Sequence, residues 1–395
     1  MQFTFTEEQL MIRDTAAAFL AEVSDSAAIR QAMATELGYE LQLWQRICDE
    51  MYWQAIHIPE EYGGMGLGQV ELVAMLEQMG RYLLCSPFFS TVCLAGNALL
   101  VAGSEAQKSR YLPQICDGSL TGTLAYTGRV GGQCDRNIWG AGGVTATWVK
   151  EGDNYLLNGT LRFVPDGQTA GLLIIAARSP GSIGEEGISL FIVPADTAGV
   201  ERNGLPTMDQ TRKQGEVVLN NVSLPAAALM GEQACEAGQA WTKLAQIIDL
   251  ATVAVAAEQM GGSQQLLDMT VKYTKERVQF NRSIASFQAI KHKAADMMQR
   301  AEVARSAVYY AACVAEEAMT GGALAGELAE AASIAKSYCS DAYCKNAGES
   351  MQMHGGIGFT WEYDVHLYFK RAKASDLFLG NGAFHRERLA QLLLD

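Results

Sequence analysis

The chain has 395 residues, 49% of them hydrophobic, and a formal net charge of −14. That is apolar content for two or three layers of core, while the acidic balance argues against nucleic acid or an anionic membrane surface as the main partner. No run approaches the ~20 apolar residues of a membrane span, and the acidic start MQFTFTEEQL lacks the pattern of a signal peptide.

Residues 2 to about 122 read as helical. Thr6 ahead of Glu7, Glu8 and Gln9 is a helix start. Leu10, Ile12, Ala16, Phe19 and Leu20 then recur at helical spacing, and Leu43, Trp44, Ile47 and Met51 continue the period. Pro59 and glycines 63, 64, 66 and 68 mark a loop before a helix over 70–81. Ser104 opens another helix that Gly118 stops. From about 123 the chain changes to short strands: VTATWVK, a turn with NYLLNG, LRFV, GLLIIAAR, GISLFIVP and VVLNNVSLP. They predict a small β-barrel or sandwich. From about 236 the alanine-rich stretches 243–275, 287–318 and 323–350 predict a four-helix-bundle-like domain, broken at Gly321 and Gly322. The fold class is α+β in the order α, β, α, with expected domains 1–122, 123–234 and 235–395.

Nine cysteines, an odd number without a CxxC pair, read as reduced thiols of a cytoplasmic protein. Five histidines, none spaced as HExxH, point away from a metal. Tyr273 to Met298 reads as mostly helical. It sets Arg277, Gln279, Arg282, Gln288, Lys291 and His292 beside Val278, Phe280, Ile284, Phe287, Ile290 and Ala294. Such a mixture suits a ligand with phosphates, a sugar and a flat ring; an ordinary amphipathic surface helix shows the same face. A second stretch, QMHGGIGF, supplies glycines where backbone must approach something closely.

RVQFNRSIASFQAIKHKAADM resembles the R-x-Q-F-G-[KR]-x-I-x-x-F-Q signature of the acyl-CoA dehydrogenase family, with Asn281 where the family usually has Gly. QMHGGIGFTWEYDVHLYFKRAK resembles its Q-x-x-G-G-x-G-[FY] element, and PEEYGG-x-G and G-S-x-E-Q-K-x-x-Y-L-P have counterparts at 59–66 and 103–113. The resemblance runs from about residue 2 to 394. It implies the acyl-CoA dehydrogenase fold, FAD, and α,β-desaturation of an acyl-CoA thioester. By matching position it implies Arg277 at the FAD pyrophosphate, with Gln279, Phe280 and Gln288 as further contacts. Tyr126, Thr127 and Phe163 face the flavin, and Gln352, Gly355 and Gly356 receive the adenosine part from a neighbouring subunit. Two departures concern the flavin ring. T-G-R-V-G-G-Q-C stands where the family reads T-E-P-x-A-G-S-D, and Pro165 replaces a Thr or Ser and has no N–H to donate.

The resemblance leaves the catalytic base open. The common base position falls on Leu379, in Phe378-Leu379-Gly380-Asn381, and the minority position on Ala251. Glu258, seven residues after Ala251, shares its helix face but lies ~10 Å further along the axis. It is a candidate displaced base, or a buried structural contact. Asp249 and Thr252 match contacts to the CoA arm, and Leu379 and Gly380 line the thioester end, where the Leu379 N–H could polarise the carbonyl. The acidic pair at 316–317 and Asp341 read as solvated faces, and His354 as packing.

The run 205–212, LPTMDQTR, and the end GNGAFHRERLA resemble the branch acting on bulky acyl-CoAs, such as steroid side chains and rings. Members of that branch pair unlike subunits. The expectation is an active dehydrogenase with a displaced or partner-supplied base. The alternatives are a non-catalytic partner subunit and a flavoenzyme of divergent acyl-CoA chemistry. An electron-transfer flavoprotein is the implied acceptor, and a dimer of dimers or a heterotetramer the implied assembly.

Overall fold

A computed structural model describes residues 5–128, 138–231 and 237–394. The chain divides into two compact units, Met1–Gln31 with Gly68–Leu84 and Thr252–Asp395, and Ala32–Leu67 with Cys85–Ala251. Helices α1 (Glu7–Val23), α2 (Ser26–Ala34), α3 (Leu41–Arg46), α4 (Gln69–Arg81), α5 (Asn97–Ala102) and α6 (Glu105–Cys116) precede the strands. Thr6 and Ser104 cap α1 and α6 with reciprocal capping boxes, as their sequences predict.

In the second unit, β1 (Gly122–Ala125), β2 (Thr147–Glu151), β3 (Asn154–Pro165), β4 (Leu172–Arg178), β5 (Ile188–Pro194), β6 (Val200–Gly204) and β7 (Gln214–Pro225) form one sheet. Strand β4 lies parallel to β1 and β2 and antiparallel to β5; β3 joins β2 to β7, and β7 carries β6 at the edge. Leu157, Leu161, Leu173, Ile175, Phe191, Val217 and Leu219 fill its core. Along β7 buried and more open positions alternate through Val217 and Leu219, as one packed face requires. The register of β3 on β7 shifts between Leu161 and Val164, and that bulge carries Phe163 in the left-handed region at φ +59. A π-helical turn at Phe89–Gly96 leading into α5 was not readable, since its run is apolar all round.

In the first unit, α4 is followed after the division by the long α7 (Trp241–Glu276), which begins in the second unit, then α8 (Gln288–Thr320), α9 (Leu328–His354), α10 (Val365–Leu377) and α11 (Gly382–Leu394). Gly321, left-handed at φ +74, ends α8 where the sequence predicts a break. Helix α7 is buried on every side from Ile247 to Ser263, so it is a central helix rather than an amphipathic one. It packs on α4 with backbones nearly touching, through Gly80 and Gly261.

Two expectations are corrected. Residues 277–287 are not part of an α-helix: α7 ends at Glu276, a hairpin follows, β8 (Val278–Gln279) paired with β9 (Arg282–Ser283), and a single 3-10 turn at Ile284–Ser286 leads into α8. Phe280 and Asn281 at its tip have φ +56 and +62, the conformation of a type I′ turn. The acidic pair at 316–317 is half-buried rather than solvated: Glu316 accepts the N–H of Gln69 at the start of α4, and Glu317 that of Leu324. No described helix is long and apolar enough to cross a membrane.

Candidate active site

The hairpin and the end of α9 form one neighbourhood. The Tyr273 ring stacks on His354 at 4.3 Å, which draws the last turn of α7 to the last turn of α9. His354 is buried, its Nδ1 lies 2.8 Å from the Ser350 carbonyl, and burial pushes its pKa down. It is a packing residue, as its position suggests. Around this stack the expected cofactor residues face outward: Arg277, Gln279, Gln288, Gln352, Gly355 and Gly356 are exposed, and Phe280 is 85% exposed. Arg277 is fixed through its backbone, donating to the Tyr273 carbonyl and accepting from Ile284, which leaves its side chain at the surface. A Cβ at Gly355 or Gly356 would meet no protein atom within 4 Å. Bare exposed backbone at Gly355 and Gly356 and a surface arginine, on segments joined by the Tyr273–His354 stack, fit a phosphate-bearing ligand approaching from outside. Asn281 is one of the few non-glycine residues that tolerates its φ, which accounts for it at a position where the family signature has Gly.

In the second unit, Thr127 and Phe163 are brought together. Thr127 and Arg162 are joined twice: the Arg162 N–H donates to the Thr127 carbonyl at 2.8 Å, and the Thr127 hydroxyl donates to the Arg162 carbonyl, also at 2.8 Å. The bulge then turns the next ring, Phe163, outward to 40% exposure. Tyr126 is buried next to them, its hydroxyl 3.5 Å from the Trp139 carbonyl. Pro165 lies within β3, where its carbonyl accepts the Thr123 hydroxyl. An open aromatic wall with Thr127 beside it fits a flat ring, with one donor fewer at Pro165. The departure at 127–134 extends into 129–137, outside the described residues.

On α7, Asp249, Ala251, Thr252 and Glu258 are all buried. Asp249 and Ala251 are about 200° apart around the helix, so both faces are enclosed there. Glu258 is 7% exposed, and its backbone carbonyl lies against Gly80.

The loop after α10 is held from within. Leu379 is buried with φ +58, and Gly380 follows at φ +98. Two consecutive left-handed residues, one a leucine, cost about 1–2 kcal/mol and persist only where neighbours enforce them. The enforcing groups are Lys336 and His385. Lys336 is fully buried on α9, and its Nζ lies 2.8–3.0 Å from the Ser340 hydroxyl and the carbonyls of Ser375, Asp376 and Gly380, four acceptors shared by its three N–H groups. Burial pushes its pKa down to about 8, so it stays a cation at neutral pH. His385 Nε2 lies 2.9 Å from the Leu379 carbonyl, and burial first, then the Lys336 charge, push its pKa down to about 3. Gln259 on α7 extends the network to the hydroxyls of Ser340 and Ser375. Sequence reading passed over Lys336 and His385. The signal was there for the first, a lysine four residues from Ala332 and three from Cys339, on the apolar side of an alanine-rich helix.

Among the described residues no group of three His, Cys, Asp or Glu could hold a metal.

Two family models match the chain: the acyl-CoA dehydrogenase N-terminal domain over residues 6–119 and the acyl-CoA dehydrogenase C-terminal domain over 238–394. Acyl-CoA dehydrogenase IpdE2 of Mycolicibacterium smegmatis is 31% identical, with 98% of each chain covered. Butyryl-CoA dehydrogenase from Megasphaera elsdenii superposes with a TM-score of 0.88 at 26% identity over all of both chains. The ChsE4-ChsE5 complex from Mycobacterium tuberculosis contains a chain matching with a TM-score of 0.87 at 25% identity, covering 100% of this chain and 99% of that one.

Proposed function

The chain belongs to the acyl-CoA dehydrogenase family of FAD-dependent oxidoreductases acting on CH–CH donors, and on that premise we propose that it desaturates an acyl-CoA thioester between Cα and Cβ, with a non-standard base. The observation that carries the cofactor part is the outward-facing set of Arg277, Gln279 and the bare Gly355 and Gly356 backbone around the Tyr273–His354 stack. In this reading Arg277 binds the FAD pyrophosphate, Gln279, Phe280 and Gln288 flank it, and Gln352, Gly355 and Gly356 receive adenosine across a subunit boundary. Tyr126, Thr127 and Phe163 wall the flavin ring. The chemistry FAD supplies when bound is acceptance of the Cβ hydride.

The chain's own part is to bind the thioester, polarise it and take a proton. Asp249 and Thr252 contact the CoA arm. In this reading the Leu379 N–H, which donates to no described residue, polarises the thioester oxygen, with Gly380 lining the same end. That donor stabilises the charge that develops as the Cα proton leaves. Leu379 and Ala251 cannot accept the proton. Glu258 is the candidate base on this chain; a partner subunit is the other source. The three-part division at 122 and 234, a cytoplasmic location, a bulky acyl group and an electron-transfer flavoprotein as acceptor complete the reading.

A non-catalytic partner subunit is the second reading, favoured by the apolar residues at both base positions and by the two-component ChsE4-ChsE5 relative. A divergent acyl-CoA chemistry on the same scaffold is a third. The test is exchange of Cα hydrogens of saturated acyl-CoAs with D2O. Exchange by the wild type that is lost in Glu258→Gln supports Glu258 as base. Exchange surviving that substitution removes Glu258, and none in the wild type favours the partner-subunit reading.

A further inference from the structure

We infer that Lys336 and His385 are positioning residues that hold the loop Phe378–Asn381 so that its free N–H groups receive the thioester oxygen. This rests on the acyl-CoA reading above. In a trans peptide the carbonyl and the following N–H point in opposite directions. Lys336 draws the Gly380 carbonyl inward at 2.8 Å, so the N–H of Asn381 is turned away from the bundle interior. His385 holds the Leu379 carbonyl at 2.9 Å, and the N–H of Gly380 is spent on Leu377. The N–H groups of Leu379 and Asn381 are left, and neither donates to a described residue.

The clamp is built for one geometry. Lys336 has no solvent exposure, and four acceptors from α9, α10 and the loop converge on its ammonium. Three N–H groups serve these four acceptors, so the ammonium is satisfied only while its neighbours stay in place, and drawing them away would strand a buried charge. Two of the carbonyls, Ser375 and Asp376, lie in the last turn of α10, so the same cation ties the helix end to the loop. Asn381 completes the frame on the other side, where its side chain accepts the N–H of Phe384 and caps α11. The loop is therefore preorganised from both ends, with its strain borne by α9 and α11 rather than by a ligand.

The experiment compares binding of an acyl-CoA thioester with its thioether isostere, which has the same arm and no carbonyl. Both probes are titrated by calorimetry into wild type, Lys336→Met, His385→Leu and His385→Gln. The wild type should prefer the thioester by about tenfold, the size of one or two hydrogen bonds. Lys336→Met and His385→Leu should lose that preference while thioether affinity holds. His385→Gln keeps a donor and should retain it. A folded Lys336→Met or His385→Leu protein that keeps the full preference overturns the inference, as does a wild type that binds both probes equally. If no CoA compound binds the wild type, the acyl-CoA reading itself fails. Amide hydrogen exchange across 378–381 then decides: faster exchange in Lys336→Met supports the clamp, and unchanged exchange refutes it.

Discussion

Gly80 on α4 lies directly against the backbone of Glu258 on α7: a Cβ at Gly80 would stand 2.1 Å from the Glu258 carbonyl oxygen. The reverse contact is equally tight, since a Cβ at Gly261 would stand 1.8 Å from the Glu77 carbonyl oxygen. The two glycines let the helices meet at backbone distance, and they set where the Glu258 side chain emerges. Neither contact is with a flexible side chain end, so a methyl group must push the helices apart. Gly80→Ala and Gly261→Ala should each destabilise by about 1–3 kcal/mol or more, read as a lower urea midpoint. Unchanged midpoints would mean the helices are free to separate.

The I′ hairpin predicts an asymmetric response at its tip. Asn281 has φ +62, which Gly adopts freely and a β-branched residue resists. Asn281→Gly should keep FAD retention, while Asn281→Val should cost about 1–2 kcal/mol locally and loosen the segment carrying Arg277 and Gln279. FAD content after gel filtration measures this. Equal retention in both variants would detach the hairpin from the cofactor.

Gly356 separates a role in the chain from a role outside it. A Cβ there meets nothing within 4 Å, so Gly356→Val should leave the unfolding midpoint of FAD-free protein within about 0.5 kcal/mol of wild type. It should nevertheless reduce FAD content severalfold. Arg277→Ala should do the same by removing the phosphate partner. Full FAD content in both would place the cofactor elsewhere.

Four buried histidines, His57, His354, His366 and His385, have lowered pKa values, and the two with the largest shifts, His57 and His385, set most of the pH dependence of stability. Burial pushes His57 down to about 4 and His385 down to about 3. The unfolded chain takes up protons near pH 6.5 that the native state refuses, so this stability is full above about 6.5 and lost as pH falls below it. Each histidine contributes about 1.4 kcal/mol per pH unit in that window. From pH 7 to pH 5 the two together should lower stability by several kcal/mol, and His385→Gln should remove about 2 kcal/mol of that fall. Parallel urea midpoints for wild type and variant across this range would contradict the burial of His385.

The long helices were legible because alanine-rich apolar periods sustained over many turns have no other reading, and Thr6, Ser104 and Gly321 mark their ends by capping chemistry. The hairpin at 278–283 was not legible. Val278, Phe280, Ile284 and Phe287 mimic a helical stripe, and Phe-Asn is not the Asn-Gly pair that announces an I′ turn. Its side chains at Val278, Gln279 and Phe280 are exposed, so no packed face imposes a period on them. The edge strand β6, VERNG, was missed because it is polar along its length. The positions proposed to face the cofactor were readable only through family resemblance. The Lys336 clamp needed the structure, since its partners are carbonyls of residues 375, 376 and 380, which sequence does not display.

The most direct test of the central claim is the visible spectrum of the purified protein, with FAD counted per chain, before and after anaerobic addition of saturated acyl-CoAs that include bulky ring-bearing ones. The account predicts close to one FAD per chain and bleaching of the flavin by at least one of these thioesters. Full FAD occupancy with no bleaching by any of them, alone or with a co-expressed partner subunit, would contradict it.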